Sequence, residues 1–219
     1  MKKTKKHIYF VPGLAASSKI FEYLKLPEED FELHYIEWLV PLSENEKIED
    51  YALRMANQVI EENPILIGVS FGGIMVQEMG KHLNNAKIVI ISSVKCRDEL
   101  PKRLKLIQAT MAYKLFPAGA ISNLEDFSVF AFGDFAKKRI DLYKKYLSVR
   151  DESYLHWSIY NVLHWKNEVI DDSILHIHGV EDHVFPIKHI ENCISIKNGT
   201  HIMILDKAKT ISKILLEHI

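Results

Sequence analysis

Apolar residues change their spacing several times along the chain. Short, nearly continuous apolar runs recur at residues 7–11, 33–36, 65–69, 87–92, 174–178 and 193–197. Runs such as "PILIGVS" and "KIVIISS" lack polar alternation, which suits strands buried on both faces of a parallel sheet. Helical periods lie between them. Over 46–61, Ile48, Tyr51, Ala52, Met55, Val59 and Ile60 fall on one helix face. Residues 74–83 continue as a helix out of a strand, and 207–219 close the chain as another. This alternation predicts an α/β fold of about six mainly parallel strands flanked by helices.

Region 97–166 breaks the alternation. It has no strand pattern and reads as helices rich in aromatics: Tyr113, Phe116, Phe127, Phe130, Phe132, Phe135, Tyr143, Tyr146, Tyr154, Trp157, Tyr160 and Trp165. "PAGAISN" and "FGD" read as turns between them. Such a region is either a small helical core of its own or a lid. Because it falls between strands of one sheet, an inserted helical lid over a pocket is expected. The chain, residues 1–219, then forms a single domain with its lid at about 97–166. Neither an internal repeat nor a low-complexity segment interrupts it.

The stretch "ILIGVSFGGIMVQEM" contains Gly68-Val69-Ser70-Phe71-Gly72, a G-x-S-x-G pattern. A pentapeptide of this kind says little alone. Here it follows an apolar strand and opens a helix, the setting of a nucleophile elbow. A sharp strand-to-helix turn strains the serine and lifts its hydroxyl above the sheet. Side chains two positions to either side would collide with passing backbone, hence the glycines. The turn also places Ser70 at a helix amino terminus, which favours negative charge.

A serine hydroxyl needs a base, and with eleven histidines in the chain position must select it. His201, in "KNGTHIMILD", follows an expected strand, sits in a glycine-containing loop and precedes the last helix. Upstream, "ILHIHGVEDHVFP" gives a strand, a glycine turn and Asp182. The order is Ser70, Asp182, His201. Asp171 and Asp172 are rival acids, but they precede their strand and belong to its wrong end. Asp98 is a weaker rival, after the strand that ends near Ser92.

Through "GVSFGG", "HGVEDHVFP" and "GTHIMI", in this chain order, the sequence resembles the α/β-hydrolase superfamily. The resemblance spans about 7–94 and 174–219. It implies Ser70 as nucleophile, His201 as general base and then acid, and Asp182 as the orienter of His201. It also implies two oxyanion donors, the Phe71 N–H and an N–H of the loop in "YFVPGLAAS", where Leu14 is the candidate. Many members carry His-Gly where this chain has Pro12-Gly13. The antiparallel hairpin that usually opens the family's sheet is not expected here. The implied reaction is hydrolysis of a carboxylic ester or thioester through an acyl-serine intermediate, without a cofactor. The same triad serves carbon–carbon bond hydrolases and acyltransferases, and the fold also carries non-catalytic binding proteins. A dehalogenase is disfavoured, because that chemistry uses an aspartate where Ser70 stands.

Composition adds limits. A formal net charge of −1 implies no general attraction to nucleic acid or an anionic membrane. The basic clusters Lys102, Arg103, Lys105 and Lys137, Lys138, Arg139 read as solvated helix faces. No apolar run reaches the roughly 18 residues needed to cross a bilayer. Cys96 and Cys193 form neither a disulfide framework nor a metal motif, and a cytoplasmic location is expected. The opening "MKKTKKHIYFVPGLAASS" has the outline of a signal peptide, but Pro12 and Gly13 interrupt its apolar run, and the segment is needed as a strand and oxyanion loop. His176, His178, Asp182 and His183 invite a metal reading. Their H-x-H-x-x-x-D-H spacing misses the metallo-hydrolase pattern, and the first two histidines read as packing. His156 and His164 read as surface or packing residues. The aromatic lid suggests an apolar acyl or alkyl group, and Trp38 and Trp157 are candidate pocket residues. The expected partner is a small-molecule ester or thioester.

Overall fold

The computed structural model describes residues 4–111 and 145–219. Six strands form one sheet: β1 (Lys6–Val11), β2 (Phe31–Tyr35), β3 (Ile65–Val69), β4 (Lys87–Ile91), β5 (Leu175–Gly179) and β6 (Ile194–Ile196). Their spatial order is β2-β1-β3-β4-β5-β6, and every pairing is parallel. The continuous apolar runs are explained by cover on both faces. All of β3 is buried, as are Ile8 to Val11 of β1. Edge strand β2 buries Phe31 but exposes Glu32 and Tyr35.

The helices are α1 (Ile48–Ala56), α2 (Phe71–Gly80), α3 (Lys102–Ala109), α4 (Glu152–His164), α5 (Met203–Asp206) and α6 (Ala208–His218). Helix α1 buries Ile48, Tyr51, Ala52 and Met55, and Glu49 and Asp50 complement its amino-terminal dipole. It stops short of the expected residue 61. The chain folds back there, with Val59 N–H on Ala56 O at 2.9 Å and Ile60 N–H on the Tyr9 hydroxyl at 3.4 Å. Pro64 then disfavours helix at the residue before it, and Asn63 takes a φ of 53°. Helix α2 starts at Phe71, earlier than the expected 74, because Gly72 and Gly73 form its first turn. It is buried from Phe71 to Met79, so its apolar residues show no single face.

Within 97–166, the described residues contain α3, α4 and a short 3-10 turn at Arg97–Glu99. Residues 112–144 lie outside the described residues. They include Tyr113, the expected "PAGAISN" and "FGD" turns, the aromatics from Phe116 to Tyr143 and the Lys137–Arg139 cluster. Helix α4 is capped by Asp151, whose carboxylate accepts from Tyr154 N–H at 2.8 Å. It packs into the body of the domain. Trp157 stacks on Tyr51 of α1 at 4.1 Å between centroids, and the Trp165 indole donates to Glu78 of α2 at 2.7 Å.

The chain leaves β1 toward β2 and returns to the other side of β1 as β3. This reversal makes the carboxyl ends of β1 and β3 the natural binding crevice of an open parallel sheet. Gly13 follows β1, and Ser70 follows β3.

Candidate active site

Ser70 joins β3 to α2 with no intervening residue, at φ 55° and ψ −119°. Such a conformation costs a non-glycine residue about 1–3 kcal/mol and persists only when its surroundings enforce it. Here Ser70 N–H bonds Ile91 O at 3.0 Å, and Ser70 O accepts from Gly73 N–H at 2.9 Å and from the Ser93 hydroxyl at 2.7 Å. The glycines answer close approaches. A Cβ on Gly68 would lie 2.1 Å from Gly72 O, and one on Gly72 would lie 2.3 Å from both Val11 O and Pro12 O.

Asp182 and His201 come from two loops that cross at glycines. A Cβ on Gly179 would lie 2.3 Å from Gly199 O, and Glu181 N–H bonds that same oxygen at 2.8 Å. The crossing brings three side chains into line. His201 Nδ1 is 2.8 Å from Asp182 Oδ2, and His201 Nε2 is 2.9 Å from Ser70 Oγ. With Nδ1–H donating to the carboxylate, Nε2 presents its lone pair to the serine hydroxyl.

Asp182 is 2% exposed. Its Oδ1 accepts from Val184 N–H and Phe185 N–H, each at 2.8 Å. Burial pushes its carboxyl pKa up. The charge and hydrogen bond of His201, the nearby His178 and the Phe185 N–H outweigh this and hold it below the usual carboxylate range. The rival acids stand elsewhere. Asp171 caps the turn before β5 through Ser173, Asp172 accepts from Asn192 at 3.2 Å, and Asp98 faces Lys105 at 3.5 Å on the surface.

Phe71 opens α2, and Leu14 sits in the loop after β1. A Cβ on Gly13 would be 3.5 Å from Ser70 Cβ, so this loop runs alongside the serine. Neither the Phe71 nor the Leu14 N–H has an acceptor among the described residues. Ser70, His201 and Leu14 border a nearly wholly apolar cavity of about 60 Å³, whose walls include Ile20, Tyr146, Leu147, Ile204 and Leu205. By volume this is room for a group of a few heavy atoms.

The two tryptophans take other places. Trp157 is 1% exposed, donates to Glu46 O at 2.8 Å and does not border this cavity among the described residues. It is a core residue because α4 packs on α1. Trp38 is also absent from the cavity walls; it stands behind them. Its indole N–H bonds Gly13 O at 3.0 Å, and its ring stacks on Phe71 at 5.1 Å.

His176 and His178 are buried in β5. His178 Nε2 donates to Phe185 O at 2.8 Å, which leaves its Nδ1 to accept from His176 Nε2 at 3.1 Å. Burial lowers both pKa values. That of His176 falls to about 2, with the charges of His178 and Lys95 adding to the effect. His178 also stands 3.6 Å from Asp182 Oδ2. Sequence reasoning did not connect His178 to the acid, or Ser93 to the elbow carbonyl. Alternation along β5 offered a hint for the first, since it puts His176 and His178 on one face. Nothing in the local pattern around Ser93 marks its contact.

No protein-family model matches the sequence, and no curated protein does. Solved structures match in fold. A thermophilic esterase from Thermogutta terrifontis aligns over 99% of this chain and 90% of its own, at TM-score 0.69 and 11% identity. A lipase-esterase related protein from Clostridium acetobutylicum aligns over 100% and 96%, at TM-score 0.65 and 19% identity. The fold is that of the α/β-hydrolases. Polyneuridine aldehyde esterase shares it, over 98% of this chain and 99% of its own, at TM-score 0.60 and 17% identity. In the α/β-hydrolase fold of this chain, no helix among the described residues is long and apolar enough to cross a membrane.

Proposed function

We propose that this protein is a serine hydrolase that cleaves a carboxylic ester or thioester through an acyl-serine intermediate. The observation that carries this reading is the continuous line from Ser70 Oγ through His201 to the buried Asp182 carboxylate, at 2.9 and 2.8 Å. His201 Nε2 takes the Ser70 proton as Oγ attacks the carbonyl carbon. The oxyanion that forms is held by the Phe71 and Leu14 N–H groups. His201 passes its proton to the leaving alcohol or thiol, and the acyl group stays on Ser70. Water, deprotonated by His201, then releases the acid and restores the serine. Asp182 stays charged throughout and fixes the imidazole. No step calls for a cofactor.

The esterase names of several structures with this fold agree with the reading. Tyr146 and Leu147, described residues of the expected lid at 97–166, form part of the cavity wall, which supports a covering role for that part of the stretch. The apolar wall suits an apolar acyl group. Free Cys96 and Cys193 suit a cytoplasmic setting.

The test is labelling with a fluorophosphonate serine probe, located by mass spectrometry, beside Ser70→Ala and His201→Ala. The expected result is an adduct on Ser70 in the wild type and none in either variant. Short activated esters then report turnover. A folded wild type that neither reacts with the probe nor hydrolyses such esters overturns the proposal. An adduct on Ser70 without ester or thioester turnover points instead to carbon–carbon bond hydrolysis or acyl transfer on the same residues.

A further inference from the structure

The β1–β2 edge of the sheet gathers metal-ligating side chains outside the site that holds Ser70. Parallel pairing sets His7 opposite Glu32 and Tyr9 opposite His34. Side chains two apart share a face, so His7, Tyr9, Glu32 and His34 stand together at the sheet edge. His7 Nδ1 and His34 Nε2 are 3.0 Å apart. One ligand atom from each of His7, Glu32 and His34 lies within 4.8 Å of the other two. Two nitrogens bound to a tetrahedral zinc ion stand about 3.3 Å apart. Small side-chain adjustments would therefore enclose an ion.

The rings are already oriented. His34 stacks on Tyr9 with centroids 4.4 Å apart and planes 14° from parallel, and on His7 at 5.3 Å and 22°. Glu61 Oε2 stands 3.9 Å from His7 Nε2. A carboxylate on that side favours the proton on Nε2 and turns the Nδ1 lone pair toward His34, the arrangement that outer carboxylates impose on metal-binding histidines. A hydrogen bond between the imidazoles would satisfy two nitrogens. It gives no role to Glu32, and the negative charges of Glu32 and Glu61 flank the pair and favour a cation between them.

We propose that His7, Glu32 and His34 bind one divalent transition-metal ion, with zinc the match to this nitrogen and oxygen set. Water or Glu61 would complete four-coordination. The ion would join the edge strand to β1 across the paired residues His7 and Glu32 and on to His34, whereas the serine, histidine and aspartate follow the carboxyl ends of their strands. Its role is to tie the sheet edge rather than to act on substrate.

The full chain, stripped with a chelator, is titrated with zinc chloride against a chromophoric competitor, beside His7→Gln, His34→Gln and Glu32→Gln. The wild type is expected to hold one more zinc ion per chain than either histidine variant. Glu32→Gln is expected to bind that ion about tenfold more weakly or worse. Zinc should raise the wild-type melting midpoint and leave that of His34→Gln unchanged. Cobalt(II) should give the visible absorption of a four-coordinate site in the wild type and in neither histidine variant. Zinc occupancy equal in the wild type and in folded His7→Gln and His34→Gln, or none in the wild type, would overturn the proposal. Serine-probe labelling is independent of this site, so the two proposals can fail separately.

Discussion

The Trp38 indole touches both segments that carry the proposed oxyanion donors. Its N–H holds the Gly13 carbonyl at 3.0 Å, one residue before Leu14, the proposed donor, and its ring lies on Phe71. Tyr51 in turn fixes the Trp38 segment. Its hydroxyl donates to Leu39 O and accepts from Leu39 N–H, each at 2.8 Å. Trp38→Phe keeps an aromatic ring and removes the indole N–H. Gly13 O still accepts from Ala16 N–H at 3.0 Å, so no buried carbonyl is orphaned, and the stability loss should stay near 1 kcal/mol. Removing an oxyanion donor outright typically costs about 10²–10³ in turnover. Loosening one should cost less, about tenfold in kcat, with KM little changed. Kinetics on a short activated ester, with a urea melt alongside, read both. An unchanged kcat in a folded Trp38→Phe protein would remove Trp38 from the positioning of the loop.

The β3–α2 elbow is where local sequence and packing agree most closely, and it sets a sharp expectation for Gly72. A methyl group there meets the Val11 and Pro12 carbonyl oxygens at 2.3 Å. Both are backbone atoms at the end of β1, so neither can swing aside. Gly72→Ala should lose about 1–3 kcal/mol or more in a urea melt and separate the loop after β1 from Ser70. A Gly72→Ala protein with wild-type stability and activity would mean that the crossing is looser than these distances require. All six strands were legible because strands covered on both faces leave unbroken apolar runs. The order Ser70, Asp182, His201 was legible because each residue follows a strand. Helix ends were less so. Val59 and Ile60 keep the period of α1 after the backbone has turned, and α2 is apolar all round. Aromatic residues carry no direction in sequence, so Trp157 read as a wall of the pocket although it is packed against Tyr51. The His7, Glu32 and His34 cluster was invisible for a different reason. Only the register of β1 on β2 brings these distant positions together, whereas His176, His178, Asp182 and His183 stand close in sequence.

Over the whole molecule, the sheet interior stores neutral histidines beneath a charged carboxylate, and this links stability to pH. His176 and His178 are 1% and 0% exposed. Burial holds both pKa values below the ordinary value, that of His176 at about 2. An unfolded histidine titrates near 6.5. Below about pH 6.5 the unfolded chain therefore takes up protons that the folded chain refuses, and stability falls as pH falls. Each fully neutral histidine contributes a slope of about 1.4 kcal/mol per pH unit in that window. Asp182 acts lower on the scale. Its carboxyl is also depressed in the folded state, so its contribution is complete above the unfolded value of about 3.9. It is lost as pH drops through the folded value. Acid should thus weaken the protein in two stages, the histidines first. Urea melts between pH 7.5 and 5 should show the first stage, and His176→Asn should reduce its slope by about one histidine's share. The variant also loses the hydrogen bond to His178, which lowers the whole curve. That offset does not change the slope, so the slope is the decisive quantity. Curves for the wild type and His176→Asn that run parallel from pH 7.5 to 5 would show that His176 takes up its proton in the folded protein, and that β5 admits water.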